Sequence, residues 1–373
     1  MKYLKLFENH TGYEAYINGD GVVLPNVSYC IRENEVHYNK KPHDYSQDYL
    51  TFEAVVDTTF KFTKAGLSYS LDRGDTWTSL AANTETPTVN AGNKILFKGA
   101  MTPSSSSSPY GIGAFSSTGK YNAMGNVMSL LFGDNFIGQT DLTGKNYTFY
   151  QLFYHNTNLT SAANLILPAT TLANSCYSNM FSGCTSLTTA PELPATTLAD
   201  RCYYNMFNGC TSLTEAPELP ATTLASDCYC SMFHNCTSLT TAPELPATTL
   251  ASDCYYHMFE NCTALTEAPE LPATTLASQC YYCMFSDCTS LTTAPELPAI
   301  TLVSNCYYHM FNGCSNLNYI KAMFTTTPGT GTTDRWVSGV SSTGTFVKNS
   351  AANWNVTGVN GVPTGWTVET ASA

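Results

Sequence analysis

Between residues 167 and 314 the apolar and polar positions follow one order that returns every 26 residues, six times, without an insertion. Each unit runs Leu-Pro-Ala, a Thr-rich step and Leu, then Cys-Tyr, Met-Phe and a second Cys followed three residues later by Leu. Leu-Pro opens at Leu167, Leu193, Leu219, Leu245, Leu271 and Leu297. A strict period of this size marks one supersecondary unit stacked on copies of itself, each touching only its neighbours. Within a unit Leu172, Cys176, Met180 and Cys184 lie four apart, with Tyr177 and Phe181 beside them. That spacing predicts a short helix over 174–182, repeated downstream. The other half, 187–194, carries Pro191 and Pro194, which remove ladder donors, so its strand is short and the sheet narrow. Neighbouring units should then sit about 5 Å apart.

Upstream the period changes. Residues 47–104 alternate apolar and polar positions around Phe52, Phe60, Phe62 and Phe97, bounded by turn residues, which predicts a small β-sandwich. Residues 24–30 and 35–39 read as two strands within a separate module at 1–46. Five serines at 104–108, flanked by prolines, form a linker. A Gly-rich stretch follows, and 105–150 is expected to cap the first repeat. The repeats are assigned to 151–324, and 325–373 to a β-rich C-terminal cap anchored by Trp336, Trp354 and Trp366. The fold class is therefore a mixed α/β solenoid preceded by small all-β domains.

Of the 15 cysteines, twelve occupy two columns of the repeat, which turns an apparent disulfide or zinc framework into a feature of packing. The second column is Cys184, Cys210, Cys236, Cys262, Cys288 and Cys314. The irregular first repeat places Asn156 at the same point, and an exchange of Asn with Cys suits a ladder of inward donors to turn backbone. Stacked cysteines about 5 Å apart also fit disulfide geometry, which stays open. Cys30, Cys230 and Cys283 lie outside both columns, and Cys280 with Cys283 makes a CxxC near His234, His257 and His309. No second pair stands at zinc-finger spacing, so no metal and no cofactor is expected.

The chain has a formal net charge of −12, and 161–314 holds twelve acids against Arg201 alone. Nucleic acid is excluded as a partner on that balance. One acidic column is Glu192, Glu218, Glu244, Glu270 and Glu296, and a second alternates Thr189, Glu215, Thr241, Glu267 and Thr293. Near-identical units differ mainly at two adjacent columns and at the pair before the second cysteine. The adjacent columns contain Asn179, Tyr204, Asn205, Tyr256, His257, Tyr282, Tyr308 and His309, a candidate recognition edge. No nucleophile elbow, phosphate loop or dinucleotide fingerprint is present, so no catalytic residue is named. Residues 1–10 lack the apolar core of a signal peptide, and no run of about 20 apolar residues suggests membrane insertion.

Three resemblances extend this reading. The residues Met180, Phe181, Cys184, Thr185, Ser186, Leu187 and Thr188, followed by Leu-Pro and recurring sixfold, resemble the BspA-like leucine-rich repeats of bacterial surface proteins over about 150–325. The longer unit and its doubled proline depart from that family. The resemblance implies a binding or adhesive surface without catalysis. Ser70, Asp72, Gly74, Thr76 and Trp77 resemble a single sialidase-type Asp-box, a hairpin device. Residues 1–46 are similar to N-terminal modules of virion proteins from phages of gut Bacteroides-like bacteria. Together these imply a phage virion component, a head or tail fibre or decoration. It would dock to other virion proteins through 1–46 and meet a host surface protein or glycan through its repeats. A homo-oligomer remains open. A bacterial cell-surface adhesin is the alternative, and a glycan hydrolase built around the Asp-box segment is the alternative of another class.

Overall fold

The computed structural model describes residues 44–100 and 114–371 in full and, among residues 1–43, only the backbone of five strands. The chain forms two compact units, Met1–Asp44 and Tyr45–Ala373. In the first, β1 (Tyr3–Leu4), β2 (Ala15–Asn18) and β3 (Gly21–Val23) make an antiparallel sheet. There β4 (Val27–Arg32) pairs antiparallel with β5 (Glu35–Lys40), from Val27 opposite Lys40 to Arg32 opposite Glu35. The serine run at 104–108 lies outside the described residues.

The second unit opens on β6 (Leu50–Ala54), β7 (Phe60–Phe62), β8 (Leu67–Ser70), β9 (Thr78–Leu80) and β10 (Lys94–Gly99). These are followed by β11 (Phe115–Ser117), β12 (Tyr121–Asn126) and β13 (Leu159–Ile166). Six of them form one sheet in the order β13-β12-β6-β10-β8-β9, and β7 pairs with β11. Alternation decides which face is buried: Leu50, Phe52 and Ala54 point inward from β6, as Phe60 and Phe62 do from β7. Phe52 stands 4.9 Å from Phe115 and 5.0 Å from Phe97, so the rings of the two sheets close one core.

The boundary expected at 104/105 does not separate two folds. Strand β12, expected in the cap, pairs antiparallel with β6 and parallel with β13 of the first repeat. The sandwich, the cap and the repeats are consequently one structure. The Asp-box residues close the β8–β9 turn. Asp72 accepts from the Thr76 amide at 2.9 Å and from its hydroxyl at 2.5 Å, and Ser70 Oγ accepts from the Gly74 amide at 2.8 Å. These bonds hold the Asp72 carboxyl down at about 2.

The helix expected over 174–182 does not form, and the regular structure is β-rich. Among the described residues the only α-helix is α1 (Ser129–Phe132). In its place each unit winds through consecutive turns, because every fourth residue is left-handed: φ is +53° at Ser175, +56° at Asn179 and +75° at Gly183. Such a residue ends any helix, and it sends alternate amides in different directions. The amides of Cys176, Ser178, Met180, Ser182 and Cys184 bond back three residues, to Ala173, Ser175, Tyr177, Asn179 and Phe181. Those of Ser175, Tyr177, Asn179, Phe181 and Gly183 instead donate forward to the next unit, at Asp200, Cys202, Tyr204, Met206 and Asn208. Every backbone donor in the stretch is thereby satisfied within the protein.

Neighbouring units also meet at single parallel bridges such as Thr171 with Thr197 and Glu215 with Thr241. The prolines keep these from lengthening into strands. Inside, two aromatic columns stack nearly parallel: Phe181, Phe207 and Phe233 at 5.4 and 5.6 Å, Tyr177, Tyr203 and Tyr229 at 5.8 and 5.9 Å. These ring separations are wider than the roughly 4.8 Å between paired strands.

The same step continues past 324. Left-handed Gly331, Arg335 and Gly339 follow Asn305, His309 and Gly313 at 26 residues. Tyr307, His309, Phe311 and Gly313 donate onto Thr332, Asp334, Trp336 and Ser338. Strands β14 (Tyr319–Ala322), β15 (Thr345–Lys348) and β16 (Thr367–Thr370) then form a parallel sheet, with Tyr319 opposite Thr345 and Thr345 opposite Thr367. Residues 325–348 are therefore a further turn of the chain whose sequence no longer matches the repeat. Trp336 occupies the methionine column there and closes it, fully buried, with Nε1 donating to Gly361 at 3.0 Å.

Candidate functional site

The second cysteine column points inward. Sγ of Cys184 donates to the Phe153 carbonyl at 3.0 Å, Cys210 to Phe181 at 3.2 Å and Cys236 to Phe207 at 3.2 Å. Cys262, Cys288 and Cys314 do the same with Phe233, Phe259 and Phe285. Asn156 takes the equivalent place at the start, donating to the Phe115 carbonyl at 3.1 Å and to Tyr121 Oη at 2.8 Å. All described cysteines are free and buried. Burial lifts the thiols of Cys184 and Cys236 to about 12 and leaves them un-ionised at neutral pH. In the native protein the column thiols are expected to escape alkylation at pH 8 and to react together on unfolding. Mass-resolved iodoacetamide labelling across a urea series checks this, and rapid native labelling of Cys236 contradicts it.

Five exposed carboxylates, Glu192, Glu218, Glu244, Glu270 and Glu296, line one edge. Lys321 reaches Glu296 at 2.8 Å and supplies the counter-charge at that end. In the second acidic column Glu215, Thr241 and Glu267 are joined by parallel bridges and face solvent.

The expected recognition edge splits into two groups. Asn179, Tyr204 and Asn205 lie on the early units, where Asn179 donates to Ser178 Oγ at 3.0 Å and Asn208 to Asn205 at 3.3 Å. Cys230, buried at the tyrosine position of the next unit, breaks the column. Beyond it Tyr256, Tyr282 and Tyr308 stand half-buried in a continuous stack, 4.6 and 4.4 Å between ring centres. The left-handed backbone at Ser231, His257, Cys283 and His309 sets the direction of the neighbouring column.

Around His257 the structure gathers groups that the repeat comparison kept apart. Nδ1 of His257 is in close contact with the Glu260 carboxylate, three residues on, and His234 Nε2 of the preceding unit lies 3.4 Å from the same oxygen. Glu260 is only 21 % exposed, so this carboxylate is largely withdrawn from water between two imidazoles. Cys283, one unit later in the same column as His257, completes the group. Burial lowers His234, a trend that Glu260 opposes, and holds the Cys283 thiol up at about 12. Further along the column, His309 keeps Nε2 buried with no hydrogen-bond partner. Glu260 and His234 carried one sequence signal, their place in the variable pair before the second cysteine.

No helix among the described residues is long and apolar enough to cross a membrane. Compared with protein-family models, curated proteins and solved structures, the chain matches none.

Proposed function

We propose that the repeats form a solenoid of the leucine-rich, BspA-like kind and act as a non-enzymatic binding surface on a phage virion. In this reading residues 1–46 dock to other virion proteins, as a head or tail fibre or decoration does, and the repeats contact a host surface protein or glycan. The observation that carries the reading is the stack of Tyr256, Tyr282 and Tyr308, whose rings remain half-accessible while the inner tyrosine column is buried. Flat aromatic faces with polar tips suit sugar rings and protein side chains alike. The acidic balance of the repeats argues for such a partner over nucleic acid.

Binding of fluorescent full-length protein to gut Bacteroides-type cells tests it. The triple variant Tyr256→Ala, Tyr282→Ala and Tyr308→Ala should bind at least tenfold more weakly at a temperature where its circular dichroism spectrum still matches the parent's, given about 0.5–1.5 kcal/mol per aromatic contact. Equal binding by the variant, or cleavage of the bound glycan, overturns the proposal.

A further inference from the structure

We propose that His257, Glu260 and Cys283, joined by His234, form a binding site for a divalent transition metal of the zinc type. One imidazole nitrogen of His257, one carboxylate oxygen of Glu260 and Cys283 Sγ all lie within 4.8 Å of one another. Four-coordinate zinc with bonds of about 2.0–2.3 Å keeps its donors roughly 3.3–3.8 Å apart. The three groups therefore reach it by side-chain movements on the order of an ångström, without a change of backbone. His234 Nε2 stands 3.4 Å from Glu260 Oε2, a separation that already matches one edge of such a tetrahedron.

A hydrogen-bonded histidine–glutamate pair accounts for His257 and Glu260 alone. It does not account for a second imidazole on the same carboxylate, nor for a thiol brought to the pair. The column that holds Cys283 is otherwise Asn179, Asn205, Ser231, His257 and His309, so the thiol appears at the unit directly after Glu260. Nitrogen, oxygen and sulfur donors in one cluster favour zinc over calcium or magnesium, which take oxygen alone. Charge balances as well. On binding, Cys283 releases its proton to solvent, both imidazoles enter neutral, and thiolate plus carboxylate cancel the two charges of the ion. The four donors and the ion together then carry no net charge.

The donors come from three consecutive units, so the ion would tie together three turns of a structure in which each unit otherwise touches only its neighbours. This inference does not rest on the proposed function, and metal loading reports it whether or not the protein binds cells. The test uses the full chain, reduced and stripped with a chelator, then titrated with Zn2+ and with Co2+ as a coloured substitute. One equivalent should bind and raise the melting temperature. The Co2+ form should show tetrahedral visible bands and a thiolate-to-cobalt charge-transfer band. Glu260→Gln and His234→Ala should each weaken binding at least tenfold, and Cys283→Ser should lose the charge-transfer band although every other cysteine remains. Glu260→Gln is nearly isosteric, and its metal-free melting temperature, compared with the parent's, separates lost binding from lost folding. Failure to bind either ion, or equal affinity in Glu260→Gln and the parent, overturns the proposal.

Discussion

Replacing Phe233 by alanine should destabilise the second unit by about 3–5 kcal/mol, the range for deleting a buried phenylalanine. The ring is fully buried and stacked 5.6 Å from both Phe207 and Phe259. Its main chain is committed on both sides as well: its amide donates to Met258 at 2.9 Å, and its carbonyl accepts from Cys262 Sγ at 3.1 Å. A cavity here cannot be closed by sliding the neighbours together, because their separation is set by the backbone bonds between units. The cost is a large part of the 5–15 kcal/mol that ordinary domains possess. Since coupling passes only between adjacent units, the damage should also divide the stack. Urea unfolding followed by hydrogen exchange is expected to show separate midpoints for residues on either side of Phe233. A single transition displaced by less than 1 kcal/mol would mean that the columns relax around the hole.

Trp336→Ala should cost a similar amount locally and behave differently. Trp336 lies at the end of the stack against Tyr307, Phe311, Phe324 and Phe346, at ring separations of 5.8–6.3 Å. Its removal exposes the edge of the last regular unit and frees the Gly361 carbonyl. The expected result is lost amide protection over 331–339 and 357–362, with protection in β6 and β10 unchanged. Trp336→Phe should restore most of the packing and none of the indole hydrogen bond. Uniform loss of protection across the repeats would show that the end is coupled to the whole.

The period, the two cysteine columns, the equivalence of Asn156 with Cys184 and the brevity of the proline-interrupted strands were all legible in the sequence, because each is a local repeat of side-chain chemistry. The helix was misread for a physical reason. Leu172, Cys176, Met180 and Cys184 repeat every 4.0 residues rather than every 3.6, and consecutive turns hold such residues on one face as a helix would. The correcting signal lay one position before the second cysteine: Gly183, Gly209, Asn235, Asn261, Asp287 and Gly313 are residues that tolerate a left-handed backbone. At Gly313 a side chain would also displace a neighbour, since an added Cβ would fall 2.1 Å from Asp287 Oδ1.

Other features were hidden for want of local pattern. The pairing of β12 with both β6 and β13 joins residues far apart in the chain, and nothing in any one segment announces it. The turn at 331–339 keeps the backbone of the repeat with Trp and Arg in place of Met and His, so side-chain comparison stops one unit early. His257 and Cys283 stood out as variable positions, but their meeting with Glu260 and His234 depends on a step of 26 residues combined with one of three.

The forward-donating amides have an electrical consequence. In the turn stretch the amides of one unit always give and the carbonyls of the next always receive, as in Ser175 to Asp200, Arg201 to Ser226 and Asp227 to Ser252. Within that stretch the bond dipoles share one direction, whereas in the proline-interrupted half Thr188, Thr240 and Thr248 donate the other way, to Thr160, Thr214 and Thr222. The two ends become chemical opposites. At the first, Phe115 supplies an amide to the Leu152 carbonyl; at the last, Val359 supplies a carbonyl to the Val337 amide. The closing segments are therefore not interchangeable: the first must bring a donor and the last an acceptor.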